Sequence, residues 1–183
     1  MPSNLNLNMK SISFAVLCSF LCSKSYSCSC SLRTQHEEIQ QSDLIIRAKV
    51  ISIDTITVVD SFLIDKYRTT EDRLTHARRQ LLIKVIVQNK YKGALNDRIT
   101  NIITGLGGGD CGYPFSINQD YLIYSGKSHF KKVVRQVFNK HVSFSFSDLL
   151  CYETSSCMRT TSDIEDEYQI LTKELANDSN TSF

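Results

Sequence analysis

The residues of this sequence best placed to do chemistry are Cys28-Ser29-Cys30-Ser31. A cut between Ser27 and Cys28 leaves one residue with a free α-amine, its own carbonyl and a thiol open to disulfide bonding. The amine nitrogen and carbonyl oxygen of one residue are spaced to close a five-membered ring on a metal ion. The amine must be neutral to coordinate, and its reference pKa lies near neutrality, so the proton is lost at modest cost. A chain terminus is ordinarily floppy, and cysteines at 28 and 30 offer two tethers that would hold this one still.

The cut itself is legible. Lys10 supplies a positive charge, Ile12 to Cys22 form an apolar run broken only by serines, and Ser25 and Ser27 are small residues at positions −3 and −1. Residues 1–27 therefore read as a signal peptide, with a run too short to span a bilayer as a helix. Removing Lys10 and Lys24 leaves the mature chain formally neutral. That gives no bulk attraction to nucleic acid or to an anionic membrane. No second long apolar run exists, so no membrane span is expected. Cys18 and Cys22 leave with the signal, and Cys28, Cys30, Cys111, Cys151 and Cys157 remain. A secretory route makes disulfides their default use, and an odd number leaves one without a partner in the chain.

The elements that must position the terminus follow. Thr34 and Glu37 have capping-box spacing, predicting a short helix from Gln35 to about Ser42. Residues 43–59 are β-branched almost throughout. Ile46, Ala48 and Val50 alternate with Arg47 and Lys49, and the stretch is long enough to need a bend or a hairpin. Residues 60–78 are polar and predict a long exposed loop or a hairpin extension. Strands are expected at Gln80–Asn89, closed by Tyr91-Lys92-Gly93, at Arg98–Thr104, at Tyr121–Tyr124 and, in two parts, over Lys132–Phe146. Between them, Gly105-Leu106-Gly107-Gly108-Gly109-Asp110-Cys111-Gly112 is the freest backbone. Ser162 and Glu165 start a last helix whose apolar stripe is Ile164, Tyr168, Leu171 and Leu175. Asn177 and Asn180 open two consecutive glycosylation sequons. The expected organisation is a signal at 1–27, one domain at 28–176 and a polar tail at 177–183. About five short strands with a helix at each end predict a mainly β fold, a five-stranded OB-like closed barrel.

Four stretches resemble the tissue inhibitors of metalloproteinases (TIMPs), in that family's order. They are Cys28-Ser29-Cys30-Ser31, Ser42-Asp43-Leu44-Ile45-Ile46-Arg47-Ala48-Lys49-Val50, Tyr91-Lys92-Gly93, and Asp120-Tyr121-Leu122-Ile123-Tyr124-Ser125-Gly126-Lys127. The resemblance spans Cys28 to Leu175 and implies the family's N-terminal, netrin-like (NTR) variant of the OB barrel. It also implies the pairings Cys28–Cys111 and Cys30–Cys157, with Cys151 the odd thiol and Cys30–Cys151 the alternative. The chain departs from the family at Leu32 and Arg33, where Pro and His are usual, and at Gln40, where a third cysteine is usual. A counterpart of the family's separate C-terminal domain is not expected.

By that resemblance the chain is a secreted, extracellular inhibitor of zinc metalloproteinases. The α-amine and carbonyl of Cys28 chelate the zinc of the target, displacing the water at its open coordination position. Ser29 enters the specificity pocket, Cys30 and Ser31 flank it, and Gly109, Asp110 and Cys111 lie beside it. Partners would be secreted or cell-surface metzincins, with extracellular matrix a further possibility, and the chain has no cofactor of its own. The alternative is a non-inhibitory secreted NTR module binding matrix or receptor proteins, in which the cysteines only staple the fold. Other chemistries are poorly supported. The glycine run lacks the Lys-Ser/Thr of a phosphate loop, and His36, His76, His129 and His141 have no metal-ligand spacing. No Ser-His-Asp or paired-carboxylate arrangement stands out, so an enzyme is not expected.

Overall fold

A computed structural model describes residues 30–31 and 33–180; the signal-peptide assignment, Cys28 and Ser29 lie outside the described residues. The fold is mainly β. Its strands are β1 (Leu44–Asp60), β2 (Arg78–Lys92), β3 (Ile99–Thr104), β4 (Asp120–Lys127), β5 (Phe130–Phe138), β6 (His141–Asp148) and β7 (Tyr152–Glu153). The helices are α1 (Gln35–Gln41), α2 (Ser61–Lys66), α3 (Thr70–Thr75) and α4 (Ile164–Asn180).

Seven strands replace the five expected. The sheet runs β2-β3-β7-β4-β1-β5-β6, and β2 also pairs with β1. Five strands, β1, β2, β3, β7 and β4, thus form a hydrogen-bonded ring, with β5 and β6 extending from it. The strand that makes this possible is β1. Its first half pairs with β4 (Leu44↔Ser125 to Lys49↔Asp120) and its end with β5 (Val58↔Lys132 to Asp60↔Phe130). Along most of its length it also pairs with β2, with register shifts at Ile45/Ile46, Arg47/Ala48 and Val50/Ser52. Such irregularities bend a strand and tighten its twist. The bend expected within residues 43–59 is therefore made by shifts in a single 17-residue strand rather than by a hairpin.

The alternation read from the sequence decides which face is inside. Leu44, Ile46, Ala48 and Val50 of β1 pack with Ile83, Val85 and Val87 of β2, Ile102 of β3, and Tyr121 and Ile123 of β4. A one-residue slip would turn Arg47 and Lys49 into this core, so the register is strongly fixed. The start of β1 is buried on its other face too. Ile45 joins Leu122 and Tyr124 under Ile39 of α1 and Leu171 of α4, with Ile164 and Leu175 alongside. The apolar stripe expected on the last helix thus meets the outer face of the ring, and Tyr168 packs against Tyr91 at 5.7 Å between ring centroids. Full burial of each such aliphatic side chain is worth roughly 1.5–3 kcal/mol. The helix runs on to Asn180, so both sequon asparagines fall within it.

Residues 60–78 are not an open loop or a hairpin extension. They contain α2 and α3, each six residues long. Asp60 caps α2 by accepting from the Phe62 N–H, and Thr69 caps α3 by accepting from the Asp72 N–H. Helices this short are marginal alone. Tertiary contacts support these: Tyr67 stacks on His76 at 4.5 Å, Arg73 Nε donates to the Tyr67 carbonyl at 2.8 Å, and the Arg73 guanidinium lies over the Phe146 ring.

Candidate functional site

The segment entering the domain is held from several directions. Cys30 is exposed and bonded to Cys157. Ser31, also exposed, follows it. Thr34 and Glu37 make the predicted capping box: Thr34 Oγ1 accepts from the Glu37 N–H at 3.2 Å, and the Glu37 carboxylate accepts from the Thr34 N–H at 2.8 Å. These bonds favour ionised Glu37, holding its pKa below the usual carboxylate value. At the other end of α1, Lys92 Nζ donates to the carbonyls of Ile39 at 2.6 Å and Gln40 at 3.0 Å. That places a cation where the helix dipole is negative.

The anchor residue Cys157 sits in a segment fastened to β4 at both ends. The buried hydroxyls of Thr154 and Thr160 both donate to the Tyr124 carbonyl, at 2.7 and 3.1 Å, and Leu122 exchanges two 2.9 Å backbone bonds with Thr161. Between them, Arg159 makes a two-pronged contact with buried Glu167 of α4, both N···O distances 2.7 Å. The same carboxylate accepts from Tyr124 Oη at 3.0 Å and from Gln35 Nε2 of α1 at 2.9 Å. Glu167 thus joins α1, β4, α4 and the loop carrying Cys157. Burial pushes the Tyr124 hydroxyl well above the ordinary tyrosine range, so it stays a donor. Sequence reasoning saw Glu167 only as one of several acids in the first turn of the last helix. Nothing in local spacing marks it as the one turned inward.

The glycine-rich loop lies against this anchor. The Ser156 N–H donates to the Cys111 carbonyl at 2.8 Å and its Oγ at 3.2 Å. Cys111 has left-handed backbone, φ 59°, and is itself disulfide-bonded. Its expected partner, Cys28, is outside the described residues. Asp110 does not project as a free charge. Its carboxylate accepts from the N–H groups of Leu106 at 2.7 Å, Gly107 at 2.8 Å and Gly112 at 3.3 Å, closing the loop on itself. Gly108–Asp110 form a single 3₁₀ turn that includes Gly109. Two glycines are required by crowding: a Cβ on Gly112 would lie 2.2 Å from the Gly105 carbonyl oxygen, and one on Gly105 would lie 2.6 Å from Asp110 Oδ1.

Of the residues singled out from the sequence, Cys30, Cys111 and Cys157 therefore meet in one region, with Gly109 and Asp110 in the loop that adjoins it. Cys151 lies elsewhere, in a groove shared with Leu95, Ile99, Leu150 and Tyr152, and is a free thiol. Burial pushes its pKa up, which disfavours the nucleophilic thiolate. Among the described residues no group of three or more His, Cys, Asp or Glu side chains is arranged to hold a metal ion, and no helix is long and apolar enough to cross a membrane. No protein-family profile and no curated protein matches the chain.

Proposed function

We propose that this protein is a secreted inhibitor of zinc metalloproteinases, and that its strand ring is the NTR variant of the OB barrel. It acts through a mature terminus at Cys28. The reading rests above all on one observation. Cys30 is bonded to Cys157, whose neighbour Ser156 holds the carbonyl of Cys111. The start of the domain and the 105–111 loop are thus adjacent, as a presented terminus flanked by a supporting loop requires. The ring of five paired strands and the capped helix that follows the terminus are consistent with it.

In this mechanism the metal belongs to the target. Neutral Cys28 amine and Cys28 carbonyl oxygen occupy the open position of the protease zinc, Ser29 enters the adjoining pocket, and Cys30 and Ser31 continue the contact. Gly109, Asp110 and Cys111 form the flank. Because the Asp110 charge is taken up by three N–H groups of its own loop, the flank presents mainly backbone to the protease. The tethers lower the ordering entropy lost on binding.

The test is a secreted chain with one extra residue before Cys28, or with the Cys28 amine acetylated, assayed against a collagen-degrading metzincin. Inhibition is expected to vanish while the circular dichroism spectrum and melting temperature are kept. Full inhibition by the blocked protein refutes the mechanism. Mass spectrometry of the secreted chain gives an independent check, since a start at any residue other than Cys28 removes the chelating pair.

A further inference from the structure

The β5–β6 hairpin exposes apolar side chains that the inhibitory site does not use. Val137, Phe138, Val142 and Phe144 are 62, 77, 47 and 36 % exposed. The two strands pair from Lys131↔Asp148 to Phe138↔His141 around Asn139 and Lys140, both at positive φ (46° and 66°). A two-residue turn of this kind makes Phe138 and His141 the hydrogen-bonded pair, so the peptide groups of Val142, Phe144 and Phe146 point to the opposite edge of β6. Among the described residues no strand pairs with that edge, because β6 ends the sheet. Exposed edges are ordinarily blunted by charges, proline or bulges. The run Val142-Ser143-Phe144-Ser145-Phe146-Ser147 carries no charge or proline, and its pairing to β5 is unbroken.

We propose that two copies of this chain associate by antiparallel pairing of β6 with β6, about a twofold axis at Phe144. The sequence of the edge selects this register. With Phe144 on the axis, Val142 faces Phe146 of the second copy, Ser143 faces Ser145 and His141 faces Ser147, each twice by symmetry, and the turn that carries Lys140 comes beside Asp148 at the strand end. Moving the axis to Ser143 leaves Phe146 opposite the turn residue Lys140; moving it to Ser145 sets Val142 opposite Asp148. Odd shifts set phenylalanine against serine. Only the Phe144 register joins apolar to apolar and cation to anion. Asp148 remains accessible for this, its side chain being 80 % exposed while it pairs with Lys131 at 2.6 Å. Val133 and Val137 of β5, beside Phe146 and Val142, widen the apolar face of the resulting four-stranded sheet, and Arg135 lies beside Phe144. Main-chain bonds supply the attraction and the alternating side chains the specificity, as in other strand-addition interfaces.

Sedimentation velocity over a concentration series of the mature wild-type chain is expected to show a monomer–dimer equilibrium. Phe144→Lys puts like charges across the axis and is expected to sediment as a monomer throughout, with an unchanged far-ultraviolet spectrum. Cysteine crosslinking reads the register without depending on that variant. In a Cys151→Ser background, Phe144→Cys is expected to form a disulfide-linked dimer under mild oxidation. Val142→Cys is not, because its symmetry mate lies four residues away, about 14 Å along the strand, beyond the roughly 7 Å limit between bridged Cα atoms. A wild type that stays monomeric at every concentration, as it would if this edge instead receives a strand from a different protein, overturns the proposal. So does a dimer untouched by Phe144→Lys, or equal crosslinking at 142 and 144.

Discussion

Removing the Cys30–Cys157 bond is the perturbation whose size the structure fixes best. The bond joins residues separated by 127 positions. In the chain-entropy account, a closed loop of that length restrains the unfolded state by about 5 kcal/mol at 25 °C. Cys111 is in a disulfide of its own, so the unfolded chain is already restrained in part. The net loss expected for Cys30→Ser combined with Cys157→Ser is therefore about 3 kcal/mol, within the roughly 2–5 kcal/mol seen for native disulfides of small secreted domains. For a domain of this size that lowers the melting temperature by about 6–12 °C. Scanning calorimetry under reversible conditions measures it, and hydrogen exchange locates it. Thr154, Thr160 and Thr161 hold the 154–161 segment to β4 without the bond, so protection there is expected to persist while it falls at the N-terminal end of α1. On the mechanism proposed above, inhibition is expected to fall further than the population of folded protein does, because the terminus loses a tether. A melting temperature within about 2 °C of wild type refutes the entropic argument.

Three further outcomes follow from the loop and the sheet. Asp110→Ala frees the exposed N–H groups of Leu106 and Gly107, where water replaces part of the lost bonding, and the part-buried N–H of Gly112; we expect a cost of about 1–2 kcal/mol and faster hydrogen exchange at Leu106 and Gly107. Gly112→Ala forces a Cβ to 2.2 Å from a backbone oxygen, whereas Gly107→Ala meets nothing within 4 Å and suffers only its φ of +97°. Denaturant unfolding is expected to rank them at more than about 3 kcal/mol against about 1–2 kcal/mol, and the reverse order refutes the close packing of the loop. Glu153 has its pKa raised above 4.5, by burial first, with Arg78 acting against it. A raised carboxylate contributes stability that is present below the unfolded value and lost as pH rises through the folded one. Glu153→Gln should thus be more stable than wild type near pH 7, and the gap should close by about pH 4; no gain at neutral pH contradicts this.

Local signals were enough where neighbours in sequence make the structure. The Thr34–Glu37 capping box needs only a hydroxyl and a carboxylate three residues apart, and both bonds form. The caps at Asp60 and Thr69 are equally local, yet the helices they open were missed. Their six-residue lengths carry no periodic stripe, and Arg73 finds Tyr67 and Phe146 only in the folded chain. The lone thiol at Cys151 was anticipated by counting cysteines and placing the pairs by resemblance, and the structure leaves that residue free.

The sequence by itself determined the mainly β character, the faces of β1 and the apolar stripe of the last helix, because alternation and helical spacing are properties of adjacent residues. Only the tertiary structure decided that β1 runs unbroken through 17 residues and serves β2, β4 and β5. It alone decided that two residues, Tyr152 and Glu153, bridge β3 to β4 and complete the ring. It alone selected Glu167, among the acids at the head of α4, as the group joining Arg159, Tyr124 and Gln35. The physical reason is common to all three. Each depends on contacts between residues far apart along the chain, whose free energy appears only when the whole core has formed around them.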